Sequence, residues 1–229
     1  LPLINQHSSI LEIGPGTGAF TIPLAHHCKQ IIAVEPSPRM RTNLEANLRK
    51  HSLSNVQIHP ARIEDRLQWL AQHDPFDLVF ASFALYDVED ILPVLQGLMK
   101  HTNSLLILLG TGETPDWYRD LRRKLGKAPH TVPPQLDCLQ PVLSHARISS
   151  NVHLIECTNN YVFQDEKALL DCWMDKLNLE ANDQRRLEAV LEPLTEIKNG
   201  LSGIYSHRTN ALVKIQGKNI SSNGHKADP

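Results

Sequence analysis

A parallel α/β sheet with helices packed against it is the fold class that the sequence predicts, and three observations predict it. Short β-branched runs alternate with helix-period runs through the first half of the chain. A turn containing Gly14, Gly16 and Gly18 joins the first such strand to a helix-period run from Phe20, the arrangement that brings backbone close to a ligand. The chain has 229 residues, 41% apolar and 21% charged, enough for one full core, so a single domain over residues 1–216 is expected.

The elements follow in order. ILEI (10–13) reads as the first strand, with a helix over 19–27. IIAVE (31–35) is the second, and Pro36 and Pro38 introduce a helix over 39–51. NVQIHP (55–60) is the third strand, followed by the short helical segment RIEDRLQWLAQH. FDLVFAS (76–82), a helix over 88–101 and SLLILLG (104–110) complete five strand-first units. Beyond Gly110 the spacing predicts a helix from Pro115, a Pro-containing connection and a helix over 135–145. Two longer strands, 151–163 and 203–216, flank a helical insertion at about 165–200 whose second helix ends at Gly200. These late strands have no short hairpin between them, so the insertion elaborates one edge of the sheet. Residues 217–229 are polar and unpatterned and read as a flexible tail.

Composition excludes several function classes. A net charge of −2 and a pI near 6.7 provide no global basic field, which makes nucleic acid an unlikely partner. Four scattered cysteines without a C-x-x-C pair read as reduced thiols of a cytoplasmic protein. No apolar run approaches the ~20 residues of a spanning helix, so no membrane is expected. The twelve histidines show no metal spacing. The start, LPLINQHSS, lacks Met and is too polar for a secretory signal, and reads as a fragment whose own start has been removed.

The glycine turn by itself leaves the cofactor open. GPGTG followed by Ala19 also satisfies the looser dinucleotide fingerprint. Two acids discriminate better. Glu35 ends the second strand, where a carboxylate accepts ribose hydroxyls of a dinucleotide or of any adenosine ligand. Glu12 lies inside the first strand, where a pyrophosphate gains nothing from a buried negative charge and a cationic ligand does.

These residues resemble the first motif of the class I S-adenosylmethionine-dependent methyltransferases: an acid, an apolar residue, then G-x-G-x-G, here Glu12, Ile13, Gly14, Gly16 and Gly18. The resemblance runs through Glu35 and FDLVFAS, covers roughly residues 8–110, and extends more loosely to the late strands. It implies a Rossmann-like, seven-stranded, mostly parallel sheet with helices on both faces. The antiparallel seventh strand is inserted between the fifth and sixth, which makes ALVKI (211–215) an inner strand. It implies S-adenosyl-L-methionine as cofactor, held by Glu12, Gly14, Gly16, Gly18, Glu35, Pro36 and Ser82. The family's carboxylate for the adenine amine follows the third strand in a G-D-A-like pattern, from which Ala61, Arg62 and Ile63 depart. Glu64 or Asp65 is left to supply that contact, with Ile63 against the adenine face, or both acids merely lead a helix N-terminus.

Methyl transfer from a sulfonium is an in-line displacement, for which alignment matters more than a base. SFALYDVED, after the fourth strand, occupies the substrate position of the family, so Tyr86 and Asp87 are the candidate catalytic residues, with His130 as a further candidate base. The competing reading makes Asp87 the N-cap of a helix from Val88. The motif LEIGPGTG also resembles that of ribosomal RNA adenine dimethyltransferases, but the Asn-Leu-Pro-Tyr type segment is missing. What remains resembles the small-molecule branch, such as quinone C-methyltransferases, and implies a small-molecule methyl acceptor. A lid is expected from residues 111–150, with Trp117 and Tyr118 as an aromatic wall and Arg119, Arg122, Arg123 and Lys124 drawing an anion or forming a solvated face. The alternative from another class is a protein that binds the cofactor without transferring methyl.

Overall fold

Strands β1 (Ser9–Ile13), β2 (Gln30–Val34), β3 (Val56–His59), β4 (Phe76–Ser82) and β5 (Thr102–Gly110) pair in parallel in the computed structural model, which describes residues 3–217. β6 (Ser150–Phe163) and β8 (Leu201–Gln216) complete the order β3-β2-β1-β4-β5-β8-β6, and a short strand β7 (Glu196–Lys198) pairs with β8. β8 runs antiparallel to β5: Thr111 Oγ1 donates to the Thr209 carbonyl at 3.4 Å and the Gly217 amide to the Asn103 carbonyl at 3.0 Å. Residues 211–215 therefore lie on an inner strand, as the resemblance implies. The expected tail, apart from Gly217, lies outside the described residues.

The chain packs as two compact units. Of the described residues, the first comprises 3–109, Leu136–His153 and 211–217, the second Gly110–Gln135 and Leu154–Asn210. In the first, successive strand residues feed two cores. Leu11, Ile13, Val79, Ala81, Leu105 and Ile107 face α4 (Ile91–Lys100) and α6 (Leu136–His145), through Leu95, Leu98 and Leu139. Ile10, Ile31, Ala33, Leu78 and Phe80 join Ala25 of α1 (Thr21–Ala25) and Leu44 and Leu48 of α2 (Pro38–Lys50). Burial on both faces explains why these strands read as continuous apolar runs rather than alternating ones. The short α3 (Leu67–Leu70) adds Leu70 to the first core.

The second unit has its own core. Leu121 of α5 (Asp116–Lys124), Leu169 and Trp173 of α7 (Glu166–Lys176), and Leu187 and Leu191 of α8 (Gln184–Leu191) pack with Ile204 of β8.

Three elements depart from the sequence expectation. α4 starts at Ile91, not Val88, and its N-cap is Asp90, whose Oδ1 accepts the Leu92 amide at 3.3 Å. Pro93 decides this. It sits in the first turn of the observed helix, where no N–H is needed, whereas a start at Val88 would put it inside the helix against a carbonyl. The helix expected to reach Gly200 ends at Leu191, one turn of 3₁₀ helix with Pro193 follows, and β7 then turns into β8 through Asn199 and Gly200 at φ 52° and 76°. Asn-Gly with both residues left-handed is the signature of a two-residue hairpin whose twist matches its strands. The first helix shrinks to Thr21–Ala25.

Candidate functional site

The strand order reverses between β1 and β4, and the predicted cofactor residues gather at the carboxyl ends of these strands and of β2, where ligands of open α/β sheets sit. Gly14, Gly16 and Gly18 all take positive φ, +63°, +58° and +97°. At Gly14 a side chain would collide with Cβ of Ala84, and at Gly18 with Cδ1 of Leu44 at 2.6 Å. At Gly16 it would meet nothing within 4 Å. Gly14 and Gly18 therefore let the chain pack, and Gly16 leaves open space at the turn.

The three glycine amides of this turn are engaged within the fold. Gly14 N–H donates to the Val34 carbonyl at 2.9 Å, Gly18 N–H to the Pro15 carbonyl at 2.9 Å, and Gly16 N–H to Glu35 Oε2 at 3.0 Å. A phosphate-binding turn must point free N–H groups at its ligand, and these three are already used. Proximity to Glu35 and the tight Pro15 turn claim them, which periodicity and spacing do not reveal.

Glu35 is 5% exposed, and its other oxygen, Oε1, accepts the Ser37 amide at 2.9 Å. Each carboxylate oxygen keeps a further lone pair for a ligand hydroxyl. Ser37 also caps α2 by accepting the Met40 amide at 3.3 Å. Pro36 lies between the two anchors, and Arg41 Nη1 holds the carbonyls of Glu35 and Pro36 at 2.9 and 2.7 Å. Asn47 Nδ2 ties the glycine turn itself to α2 through the Thr17 carbonyl at 2.8 Å. Arg41 and Asn47 carry no sequence signal beyond their place on the helix.

Glu12 is 1% exposed, and its Oε2 and the neighbouring Thr21 Oγ1 are buried without a hydrogen-bond partner. Burial pushes the carboxyl up to about 7, with the nearby Thr21 hydroxyl opposing part of the rise. A carboxyl in this state is an unmet demand for positive charge.

After β4, Ser82 is half-buried, and Phe83 adopts φ 50° while its N–H donates to the Leu108 carbonyl at 2.8 Å. A bulky residue in the left-handed region stores strain, and such residues concentrate at functional sites. Nothing in the amino-acid pattern marks Phe83. Tyr86 is half-buried and Asp87 exposed. Asp87 does not cap α4. Its carbonyl instead accepts Arg62 Nη2 at 2.8 Å, and Arg62 Nε also meets Glu64 Oε1 at 3.4 Å, so Arg62 links the segments after β3 and β4. Ile63 is 4% exposed and packs in the core with Ile13 and Ala81. His130 belongs to the second unit. Burial, and then the Arg122 and Lys176 cations, hold its imidazole below the usual value.

Residues 10–104 match the family described as "Methyltransferase domain". Among curated relatives, the chain is 40% identical over 55 residues to ribosomal RNA small subunit methyltransferase A of Desulforapulum autotrophicum, covering 24% of this chain and 19% of that protein. It is 32% identical over 120 residues to ribosomal RNA small subunit methyltransferase G of Helicobacter hepaticus, covering 50% and 63%. The chain thus spans about a fifth of the length of the first of these relatives. The YcgJ protein of Bacillus subtilis has a similar fold, with a TM-score of 0.57 and 14% identity over 94% of both chains. Residues 10–104 thus match a methyltransferase domain, the chain has the Rossmann-like α/β fold seen in methyltransferases, and S-adenosylmethionine is the cofactor to which that match points.

Proposed function

We propose that this chain is an S-adenosylmethionine-dependent methyltransferase that transfers a methyl group in line to a small-molecule acceptor, with residues 1–216 acting as one methyltransferase-like domain. The observation that carries the cofactor reading is the orphaned buried carboxyl of Glu12 beside a turn whose glycine amides are all engaged. That site suits a cationic adenosine ligand and disfavours a pyrophosphate. The cofactor supplies an electrophilic methyl on a sulfonium centre. Glu35 and the space over Gly16 hold the nucleoside, Pro36 borders it, Ser82 closes the β4 side, and Ile63 with Glu64 stands on the adenine side. Glu12 supplies the negative charge that a cationic ligand requires.

Tyr86 and Asp87 are assigned to orient the acceptor and take its proton, and His130 is the further base. Its depressed pKa keeps it neutral near pH 7, the form that accepts a proton. The net charge of −2 supports a small acceptor over a polynucleotide, and the loose segment after β4 fits a quinone C-methyltransferase-like branch. A second reading, an RNA acceptor, is favoured by the relatives named as ribosomal RNA methyltransferases.

Calorimetric titration with S-adenosylmethionine, S-adenosylhomocysteine and NAD tests the cofactor. Micromolar binding of the first two is expected, and binding of NAD alone would end the reading. Labelled methyl is then offered to a metabolite extract and to ribosomal RNA. Label in a small metabolite supports the proposal, label in RNA replaces the acceptor, and label in neither fraction leaves a cofactor-binding protein.

A further inference from the structure

The second unit contains a cavity of about 880 Å³, and its lining lies wholly outside the methyltransferase domain of residues 10–104. A second cavity of about 530 Å³ adjoins it and shares Thr114, Arg119 and His130. Both are within or close to the size range of sites for small organic ligands.

One side of the larger cavity is aromatic. Trp117 stands edge-on to Tyr118 at 5.6 Å and to Tyr161 at 6.0 Å, and the Tyr118 ring meets the His130 ring at 5.3 Å. Such faces stack on a planar ligand.

The charge around these rings is unbalanced. Arg119 and Arg123 are neutralised within their own helix by Asp116 and Asp120. Among the described residues, three other cations, Arg122, Lys127 and Lys176, meet neutral groups. Arg122 Nε donates to the Ala128 carbonyl at 2.7 Å and its Nη1 to the Tyr118 hydroxyl at 3.5 Å. Lys127 Nζ donates to the Asn178 carbonyl at 3.1 Å. Lys176 Nζ lies over the Tyr161 and Trp173 rings at 4.4 and 4.6 Å. Among the described residues, Glu113 is the one lining carboxylate outside an ion pair. Cations oriented by carbonyls and rings keep their charge for an incoming anion, and a concave surface of one sign concentrates it. Partial burial first, and then the Arg122 and Lys176 cations, hold the His130 imidazole below its usual value.

We propose that these adjoining cavities bind a small aromatic oxyanion, its ring against Trp117, Tyr118 and Tyr161 of the larger one and its carboxylate or phosphate toward Lys176 and toward Arg122, which lines the smaller one. Its role as the methyl acceptor rests on the methyltransferase reading above, but its binding does not.

The full chain, without cofactor, is titrated with 1-naphthoate, 1-naphthyl phosphate and the neutral 1-naphthalenemethanol. At least one anion is expected to bind tenfold or more tightly than the alcohol, and the stronger of the two identifies the oxyanion. Arg122→Gln and Lys176→Gln should each weaken that binding about tenfold, Lys176→Arg should restore it, and added salt should weaken it. Equal affinity for the alcohol, or unchanged affinity in both Gln variants, overturns the inference. A single-stranded RNA oligonucleotide that binds through Arg122 and Lys176 when neither anion does would also overturn it, in favour of RNA. Label transferred to a neutral metabolite, with neither anion bound, overturns this inference and leaves the methyltransferase intact. Anion binding without any methyl transfer upholds the site and removes its role as acceptor pocket.

Discussion

Glu35 Oε2 accepts the Gly16 amide at 3.0 Å, so the acid that follows β2 holds the middle of the turn that follows β1. One carboxylate thus shapes the turn, and under the proposed function it also meets the ligand. Glu35→Ala removes its bonds to Gly16 and Ser37. Cofactor affinity is expected to fall by about 1.5–3 kcal/mol, the size of charged-group hydrogen bonds, with a loss of stability on the order of 1–2 kcal/mol. Calorimetry and urea unfolding measure the two, and unchanged affinity would remove Glu35 from the site.

Glu12 makes binding and stability oppose each other in pH. Its carboxyl is raised from 4.5 to about 7 in the ligand-free fold, so the protonated form favours folding. That contribution is complete below about pH 4.5 and is lost as pH rises through about 7, a total on the order of 3 kcal/mol. Glu12→Gln should therefore stabilise the ligand-free protein at pH 8 by about 1–3 kcal/mol and change it little at pH 5. A cationic ligand needs the ionised form, so affinity for S-adenosylmethionine should rise between pH 6 and 8 in the native protein and stay flat in Glu12→Gln. Parallel pH profiles in the two proteins would refute the role.

The glycines separate packing from ligand space. Gly14→Ala drives its methyl into Ala84 at a left-handed φ of +63° and should cost roughly 2–4 kcal/mol of stability. Gly16→Ala meets no protein atom within 4 Å. It should cost only about 1–2 kcal/mol through its backbone conformation while lowering cofactor affinity tenfold or more. Thermal melts with and without cofactor distinguish the two.

The two acids before α4 also divide. Asp90→Ala removes the N-cap and should cost about 1 kcal/mol. Asp87→Ala, at an exposed position that caps nothing, should stay within about 0.5 kcal/mol of the parent. A fall in methyl transfer at unchanged stability would place Asp87 in the chemistry, and unchanged transfer would exclude it.

Much of the fold was legible because it is written in short-range pattern. Apolar runs ending in glycine, acid or proline mark β1, β2, β3 and β5, and the apolar run FDLVFAS marks β4, all to within two residues. Asp87 and Asp90 both fit a cap by pattern, and Pro93, tolerated only in the first turn, selects Asp90. The apolar period of α8 runs on past Pro193 in the sequence, but Asn199-Gly200 marks the β7–β8 turn.

The amino-acid sequence by itself determined the strand–turn–helix order, the left-handed glycine turn and the placing of acids at the ends of β1 and β2, because local sterics and side-chain period set these. Only the tertiary structure decided what the turn does. The Gly16 amide goes to Glu35, 19 residues away, and the Phe83 amide to Leu108 across the sheet, so which backbone donors are used within the fold is set by contacts distant along the chain. Glu12 likewise becomes an orphaned carboxyl only when packing removes water from it. The cavity between Trp117 and Lys176 joins residues distant along the chain, and only packing brings Lys176 over the Tyr161 and Trp173 rings.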